Sequence, residues 1–367
     1  MRDILIISNS EDGGTSGILP YLNKDRYLFL NVDHIQKYKI SISNKTTYLE
    51  DQNGKYNIKD FKTVLIRRLN PSKKSSLKEI YPNFERVNNI LKVDPKIEIN
   101  ALEIAETVFQ ILQNKKYQNL NTNYFLLSLL NELKPNTRII SPLDKMKKAD
   151  IKPIQLKEAN SSGIRTPKTI FTNSLEEILS CFKKFGSKRL VIKYHSMFAN
   201  SIFFSGENNY YVNFTARSIT EEEFLKEHKN NLKNTLTIPM MVQEDLNQIN
   251  GIKEARITVI GDKIMGFLQE VIGEKQKNLP SIKEYNNTVY SPLPKWFLKE
   301  NIDRSYLNYA KKLGLLFYTA DIFIHPDKKE HYLIETNTAG QYTMLTEEIK
   351  EVYPAAKTMA EFLMKKN

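Results

Sequence analysis

Short apolar runs separated by polar turns fill the first third of the chain. "DILIISN", "YLFLNVD", "YKISISN", "TTYLEDQNGKYNI" with its Asn-Gly turn, and "TVLIRRL" each read as strands of a small opening α/β unit. From about 97 to 133 the apolar period lengthens to three and four residues, through Leu102, Ala105, Phe109 and Leu112. That spacing predicts helices packed on the opening sheet. "KPNTRIISPLDK" breaks the pattern and sets a boundary near residue 140. Beyond it, helix ("IQLKEANSSGI"), strand ("KTIFT"), helix ("LEEILSCFKKF") and strand ("RLVIKYH") form a second unit. A third begins near Thr237 with "TIPMMVQEDL", continues through the hairpin "EARITVIGDKIMGFLQEVI", and reaches "GLLFYTADIFIHPDKKEHYLIETNTAGQY". The fold class is therefore α/β and α+β, with three parts: 1–139, 140–236 and 237–367.

The last stretch predicts a strand from Leu315 to Ile324, a turn at "HPDKKE" and a second strand from His331. Side chains alternate along a strand, so Glu335 and Asn337 share a face. Asp321 falls mid-strand between Ala320 and Ile322, where a carboxylate is costly to bury unless it is paired or bound to metal. The three make an oxygen-rich triplet suited to a hard cation such as Mg²⁺, with phosphate or water completing the shell. The plainer alternative pairs Asp321 with a lysine and leaves Asn337 to start a turn.

Composition narrows the setting. At 367 residues the chain is long enough for two or three cores, and its one cysteine, Cys181, allows no intrachain disulfide. Neither an apolar run of membrane-spanning length nor a secretory start is present, so the expected location is cytoplasmic, without membrane partners. The net charge of +12, from 54 basic and 42 acidic residues, is spread in short clusters such as "KMKK". This distribution, with no nucleic-acid-binding signature, argues against a nucleic-acid partner.

Further residues ahead of the triplet fit a nucleotide. Lys193 ends a strand and Lys152 begins a helix, two places from which an ammonium reaches phosphate oxygens. The "QEDL" link, Gln243, Glu244, Asp245 and Leu246, offers backbone groups to an adenine edge. Glu254 and Arg256 share a strand face, a carboxylate for ribose hydroxyls beside a guanidinium for phosphate. Singly, each also reads as a surface lysine or a cross-strand ion pair.

This succession, Lys152, Lys193, "QEDL", Glu254-x-Arg256, Asp321 and Glu335-x-Asn337, resembles the ATP-grasp superfamily over most of residues 140–345. Three stretches are similar, more narrowly, to the microviridin-type graspetide synthetases, the ATP-grasp ribosomal peptide maturases. They are "KPIQLKEANSSGIRTPKTIFTN" with its Lys-x-x-Gln-Leu spacing, "VQEDLNQINGIKEARITVIGDK", and the segment from "LPKWF" to "IETNTAGQY" with its Gly-Gln-aromatic ending. "ILIISNSED" and "VLIRRLNP" resemble that family's opening domain.

The resemblance implies an ATP-grasp fold, with a pre-ATP-grasp domain and two lobes enclosing the nucleotide. It implies ATP and Mg²⁺ as cofactors, the metal held by Asp321, Glu335 and Asn337. Lys152 and Lys193 would bind phosphates, Gln243 to Leu246 adenine and Glu254 ribose, with Arg256 as the catalytic residue stabilising the transferring phosphoryl group. A carboxylate of an acidic precursor peptide would become an acyl phosphate, then an ester or amide crosslink to a Thr, Ser or Lys side chain. Separately, the long polar stretch from Gly273 to Pro292, with Lys275, Lys277 and Lys283 able to face carboxylates, is expected to dock the peptide's leader segment together with the helices near 97–133; its plainer reading is an ordinary surface loop.

Departures bear on the substrate. The family's Asp-aromatic-Arg stretch is replaced by "SIKEYNNTVYSPLP", so Lys283 or another base would grip the carboxylate, and "ETNTAGQY" stands where Glu-x-Asn-Pro is usual. His195 and His325 read as structural imidazoles, and Arg67 and Arg68 as domain-interface salt bridges. Two alternatives stay open: an ATP-grasp ligase acting on small amino acids or a protein terminus, and a non-catalytic nucleotide- or peptide-binding module. The oligomeric state, a homodimer included, is also open.

Overall fold

The computed structural model describes residues 2–42, 46–69, 124, 126–194, 201–205, 208–212, 216–228, 232–233, 235–271, 288–342 and 353–365. Most of the helical stretch expected at 97–133 and of the docking segment expected from Gly273, with Lys275, Lys277, Lys283 and His195, lies outside the described residues. The chain forms two compact units, Met1–Pro142 with Ala356–Asn367, and Leu143–Ala355.

In the first unit, β1 (Ile4–Ser8), β2 (Tyr27–Asn31), β3 (Lys39–Ile42), β4 (Thr47–Asp51), β5 (Gly54–Asn57), β6 (Thr63–Ile66) and β7 (Arg138–Ile140) build two sheets. The first is all parallel, in the order β2-β1-β6-β7. Every residue of β1 and β6 is buried, as unbroken apolar runs are when a parallel strand is covered on both faces. The other is the antiparallel meander β3-β4-β5.

At the carboxyl end of β1, Asp12 caps the short helix α1 (Gly13–Ile18) by accepting from the N–H groups of Gly14 and Thr15. Its two oxygens also accept from Arg67 Nε at 2.6 Å and Arg67 Nη2 at 2.8 Å, a fork with both side chains fully buried. Arg67 was expected at a domain interface. Its partner instead lies in its own unit, because β1 and β6 are neighbours and their ends come together.

The second unit starts with α2 (Leu143–Ala149) and α3 (Lys152–Asn160). It continues through β8 (Thr169–Ser174), α4 (Leu175–Phe185), β9 (Arg189–Tyr194), β10 (Ser201–Ser205), β11 (Asn208–Val212), β12 (Arg217–Thr220), α5 (Glu221–His228) and β13 (Thr235–Glu244). The sheet β12-β9-β13-β8 buries one face under α4 and α5, where Leu190, Ile192, Met240 and Val242 meet Ile178, Cys181, Phe182 and Phe224. Ser174 caps α4 at its start and left-handed Gly186 ends it. The sequence reading opened the last lobe at Thr237, but β13 pairs with both β8 and β9. The break between the two sheets therefore follows Glu244. The reading also passed over the β10–β11 hairpin, two β-branched and aromatic runs either side of Gly206-Glu207.

The remaining elements are β14 (Lys253–Ile260), β15 (Lys263–Val271), β16 (Thr288–Pro292), α6 (Glu300–Leu313), β17 (Phe317–His325), β18 (Glu330–Asn337) and α7 (Ala355–Met364). The five strands are antiparallel in the order β16-β15-β14-β17-β18. On one face Ala255, Ile257, Val259, Ala320, Ile322, Ile324 and Leu333 pack against Tyr306, Tyr309, Ala310 and Leu313 of α6. From Ala356 onward α7 belongs to the first unit. There Arg138 donates from Nη2 to the carbonyls of Phe362, Leu363 and Lys365 at 2.6, 3.2 and 3.2 Å, a cation at a helix C-terminus. No helix among the described residues is long and apolar enough to cross a membrane.

Removing one member of the buried pair leaves the other charge unmatched, so Arg67→Met is expected to cost about 3–5 kcal/mol in urea unfolding at neutral pH. Burial raises the Asp12 carboxyl, but the Arg67 fork and the hydroxyls of Thr15 and Ser8 outweigh this and hold it at about 2. Its pKa is thus below the unfolded value of roughly 3.9. The pair's stabilisation is complete above that value and is lost as pH falls toward the folded one. The gap between wild type and variant should therefore narrow below about pH 4; an equal gap at every pH would remove this account.

Candidate active site

The face of the five-stranded sheet opposite α6 carries the predicted oxygen and cation residues. Arg256 of β14 lies directly across from Asp321 of β17, and Asp321 directly across from Glu335 of β18, so the three form one row on one face. Thr319 and Asn337 face each other in the next row, and Glu254 lies across from Phe323 in the row before.

Glu335 reaches this face because of a bulge. Leu333 pairs with Ile322 on the α6 side, and simple alternation would send residue 335 to that side as well. The register shift between Asp321 and Ile322 leaves Ile334 as an extra residue and turns Glu335 to the opposite face.

The charges are paired along the row. Arg256 donates from Nε at 2.8 Å and from Nη2 at 2.6 Å to Asp321 Oδ1, and Asn337 Nδ2 donates to Asp321 Oδ2 at 3.3 Å. At the edge, Lys152, the first residue of α3, places Nζ 2.8 Å from Glu335 Oε1. Burial pushes the Glu335 carboxyl up. The ammonium groups of Lys152 and Lys193 and the Lys152 hydrogen bond outweigh this and hold it below the usual range, with Asp321 opposing them. Lys193 lies on β9 of the four-stranded sheet, so residues of two sheets of the second unit act on one carboxylate. Side-chain exposures of 15% to 34% for Arg256, Asp321, Lys152 and Glu335 leave the row open to a solute.

The chain beyond Asn337 folds back over β17. Gly340 comes so close to Thr319 that a Cβ there would lie 1.8 Å from Thr319 Oγ1. The close approach brings the Gln341 carbonyl to Arg256 Nη1 at 3.4 Å and buries Tyr342 against Phe317. The Gly-Gln-aromatic ending is thus a tight return.

The "QEDL" link is less open. Gln243 is buried and donates to Thr169 Oγ1 at 3.0 Å, and Glu244 accepts from the Lys168 N–H at 2.8 Å. Asp245 caps the following turn and accepts from Ser218 Oγ, and Leu246 is buried. Three of the four side chains are used internally, so contacts to a base here fall to backbone groups. Glu254 sits on the site face, two residues from Arg256. His325 accepts a hydrogen bond from the Lys328 N–H in the β17–β18 turn, a structural use.

Asp321, Glu335 and Asn337 supply hard oxygen donors on adjoining strands. Among the described residues, no group of three or more His, Cys, Asp or Glu side chains forms a ready cage. That donor set fits Mg²⁺, which usually takes one or two carboxylates and completes its octahedron with phosphate and water.

The supports behind the row were missed from sequence: Asp150, Gln155, Tyr309, Thr336 and Thr338. Thr336 and Thr338 bond to Tyr309 Oη at 2.8 Å and to Asp150 Oδ1 at 3.1 Å. Gln155 alone carried a signal, three places after Lys152 on one helix face.

The chain has an ATP-grasp fold, shared over nearly its whole length with solved structures. No protein-family model matches the chain, and no curated protein sequence does. Among solved structures it is similar to the macrocyclase MdnC of Microcystis aeruginosa MRC, bound with precursor peptide MdnA (18% identity, TM-score 0.69, 98% of each chain covered). It is also similar to a RiPP-associated ATP-grasp ligase of Chryseobacterium gregarium, in complex with ADP and a leader and core peptide. That match has 22% identity and a TM-score of 0.64, over 99% of this chain and 96% of the other. The macrocyclase MdnB of Microcystis aeruginosa MRC matches over the whole of both chains at 16% identity and a TM-score of 0.63.

Overpacking at Gly340 has a definite partner. Gly340→Ala is expected to cost about 1–3 kcal/mol in thermal or urea unfolding. Thr319→Ala in the same chain should recover most of that loss; additive costs in the double variant would show that the contact does not constrain the return.

Proposed function

We propose that this chain is an ATP-dependent carboxylate ligase that crosslinks an acidic precursor peptide. One observation carries the reading: the row Arg256–Asp321–Glu335–Lys152 occupies the open face of a sheet in a fold shared, over 98% of both chains, with a peptide macrocyclase. The leader and core peptides in the similar ligase structure support a peptide acceptor over a small amino acid.

In this reading the lobes around β9 and β14 enclose ATP. Lys152 and Lys193 bind its phosphates, backbone groups of Gln243 to Leu246 meet adenine, and Glu254 meets the ribose hydroxyls. Asp321, Glu335 and Asn337 would hold Mg²⁺, which supplies charge neutralisation and a template for the reacting oxygens. A substrate carboxylate oxygen attacks the γ-phosphorus and ADP leaves, giving an acyl phosphate. Arg256, permanently charged and fork-shaped, stabilises the transferring phosphoryl oxygens. A hydroxyl or amine of the same peptide then attacks the acyl carbon, phosphate leaves, and an ester or amide closes the ring. Catalysis is positioning and electrostatics, with no protein nucleophile.

Protein mixed with ATP, Mg²⁺ and an acidic precursor encoded beside its gene should release one ADP and remove one water from the peptide per bond, read by mass spectrometry. ADP release with a small amino acid and none with the peptide would favour the other ligase class. Glu335→Gln and Asp321→Asn each remove one carboxylate charge with little change in volume, and should abolish turnover in a folded protein. Turnover at ordinary Mg²⁺ in either would sink the metal assignment. Lys193→Met should weaken ATP binding by about 1–3 kcal/mol in calorimetry, the value of a charge-assisted hydrogen bond. Unchanged affinity would return Lys193 to a strand-end role.

A further inference from the structure

β18 is the edge strand of its sheet, and along residue 336 its outer side is closed by a side chain. Gln155, 1% exposed, accepts from the Thr336 N–H at 3.1 Å and donates to the Thr336 carbonyl at 3.0 Å. Its amide thus meets both backbone groups of one residue, as a neighbouring strand would. The same amide nitrogen donates to the Ala149 carbonyl at 2.6 Å, at the end of α2. On the α6 face of the sheet, the Thr336 hydroxyl is bonded to Tyr309.

Thr336 stands between Glu335 and Asn337, and side chains alternate along a strand. Fixing the Thr336 peptide groups therefore fixes the direction of both flanking side chains. Gln155 also lies one turn after Lys152 on α3, so one helical turn delivers an ammonium to Glu335 and a clamp to the strand that carries Glu335.

We infer that Gln155 is a positioning residue of the nucleotide site. It acts through Thr336 to hold Glu335 and Asn337 in the arrangement that takes a metal-bound nucleotide. The inference rests on the proposed function and adds to it the residue that sets the coupling between divalent cation and nucleotide. Partners that orient metal ligands typically account for 10- to 100-fold in metal affinity.

The test is calorimetric and needs no turnover. ADP is titrated into wild type, Gln155→Glu and Gln155→Met, once with a chelator and once with excess Mg²⁺, and the ratio of the two affinities is taken for each protein. Thermal unfolding of each accompanies the titrations. Gln155→Met removes all three hydrogen bonds at similar volume. It should keep metal-free ADP affinity within about twofold and lose about tenfold or more of the Mg²⁺ enhancement. Gln155→Glu keeps the acceptor for the Thr336 N–H and loses the donors, so its ratio should fall between the two.

A merely structural role would lower the melting temperature in the same order and leave the ratio unchanged, and a ratio equal to wild type in folded Gln155→Met overturns the inference. Should that variant fail to fold, the comparison of wild type with Gln155→Glu decides by the same criterion. Absence of ADP binding by wild type with Mg²⁺ would instead overturn the proposed function itself.

Discussion

Two carboxylates on neighbouring strands of one sheet face repel, and the candidate site is organised around cancelling that repulsion. Asp321 and Glu335 lie directly opposite each other, with Arg256 beyond one and Lys152 beyond the other. The row alternates as cation, anion, anion, cation, and it draws on β14, β17, β18 and α3. Each element must therefore be in register for the charges to balance. The bulge at Ile334 supplies the last register, since without it Glu335 would face the packed side of α6 and its charge would be buried without a partner.

The pairing also defines how the site can change. In the proposed reading, a dication held by Asp321 and Glu335 would replace the two monocations as their counter-charge. Arg256 and Lys152 would then be available to negative groups of the nucleotide. Those groups would be phosphates, so the side chains that balance the carboxylates would also grip the nucleotide.

Much of this was legible in the sequence because it depends on local spacing. The strand, turn and strand around Asp321 and Glu335, the hairpin carrying Glu254 and Arg256, and the helix that starts at Lys152 all follow from apolar periodicity and turn residues. What the sequence hid was long-range. Gln155 meets Thr336 across 181 positions, and nothing local to either residue announces the contact. Arg67 sits at a strand end suited to an interface, and only the adjacency of β1 and β6 shows that its partner is Asp12. The pairing of β13 is hidden for a similar reason: it follows a break in the pattern, yet its hydrogen bonds run back to β8 and β9. The "QEDL" link is read in the sequence for its backbone groups; that Asp245 spends its carboxylate on a cap and on Ser218 depends on a contact 27 positions away.

The return of α7 to the first unit has a bearing on how the protein is made. The parallel sheet is encoded ahead of the second unit, but the carbonyls that meet Arg138 belong to Phe362, Leu363 and Lys365, which follow it. During synthesis this unit emerges early and waits, without its last helix, until nearly the whole of the second unit has been translated. Domains generally fold as they leave the ribosome, in chain order; here the unit that emerges before its neighbour is completed after it. A nascent chain must therefore carry the surface beside β7 without α7 while the second unit is translated.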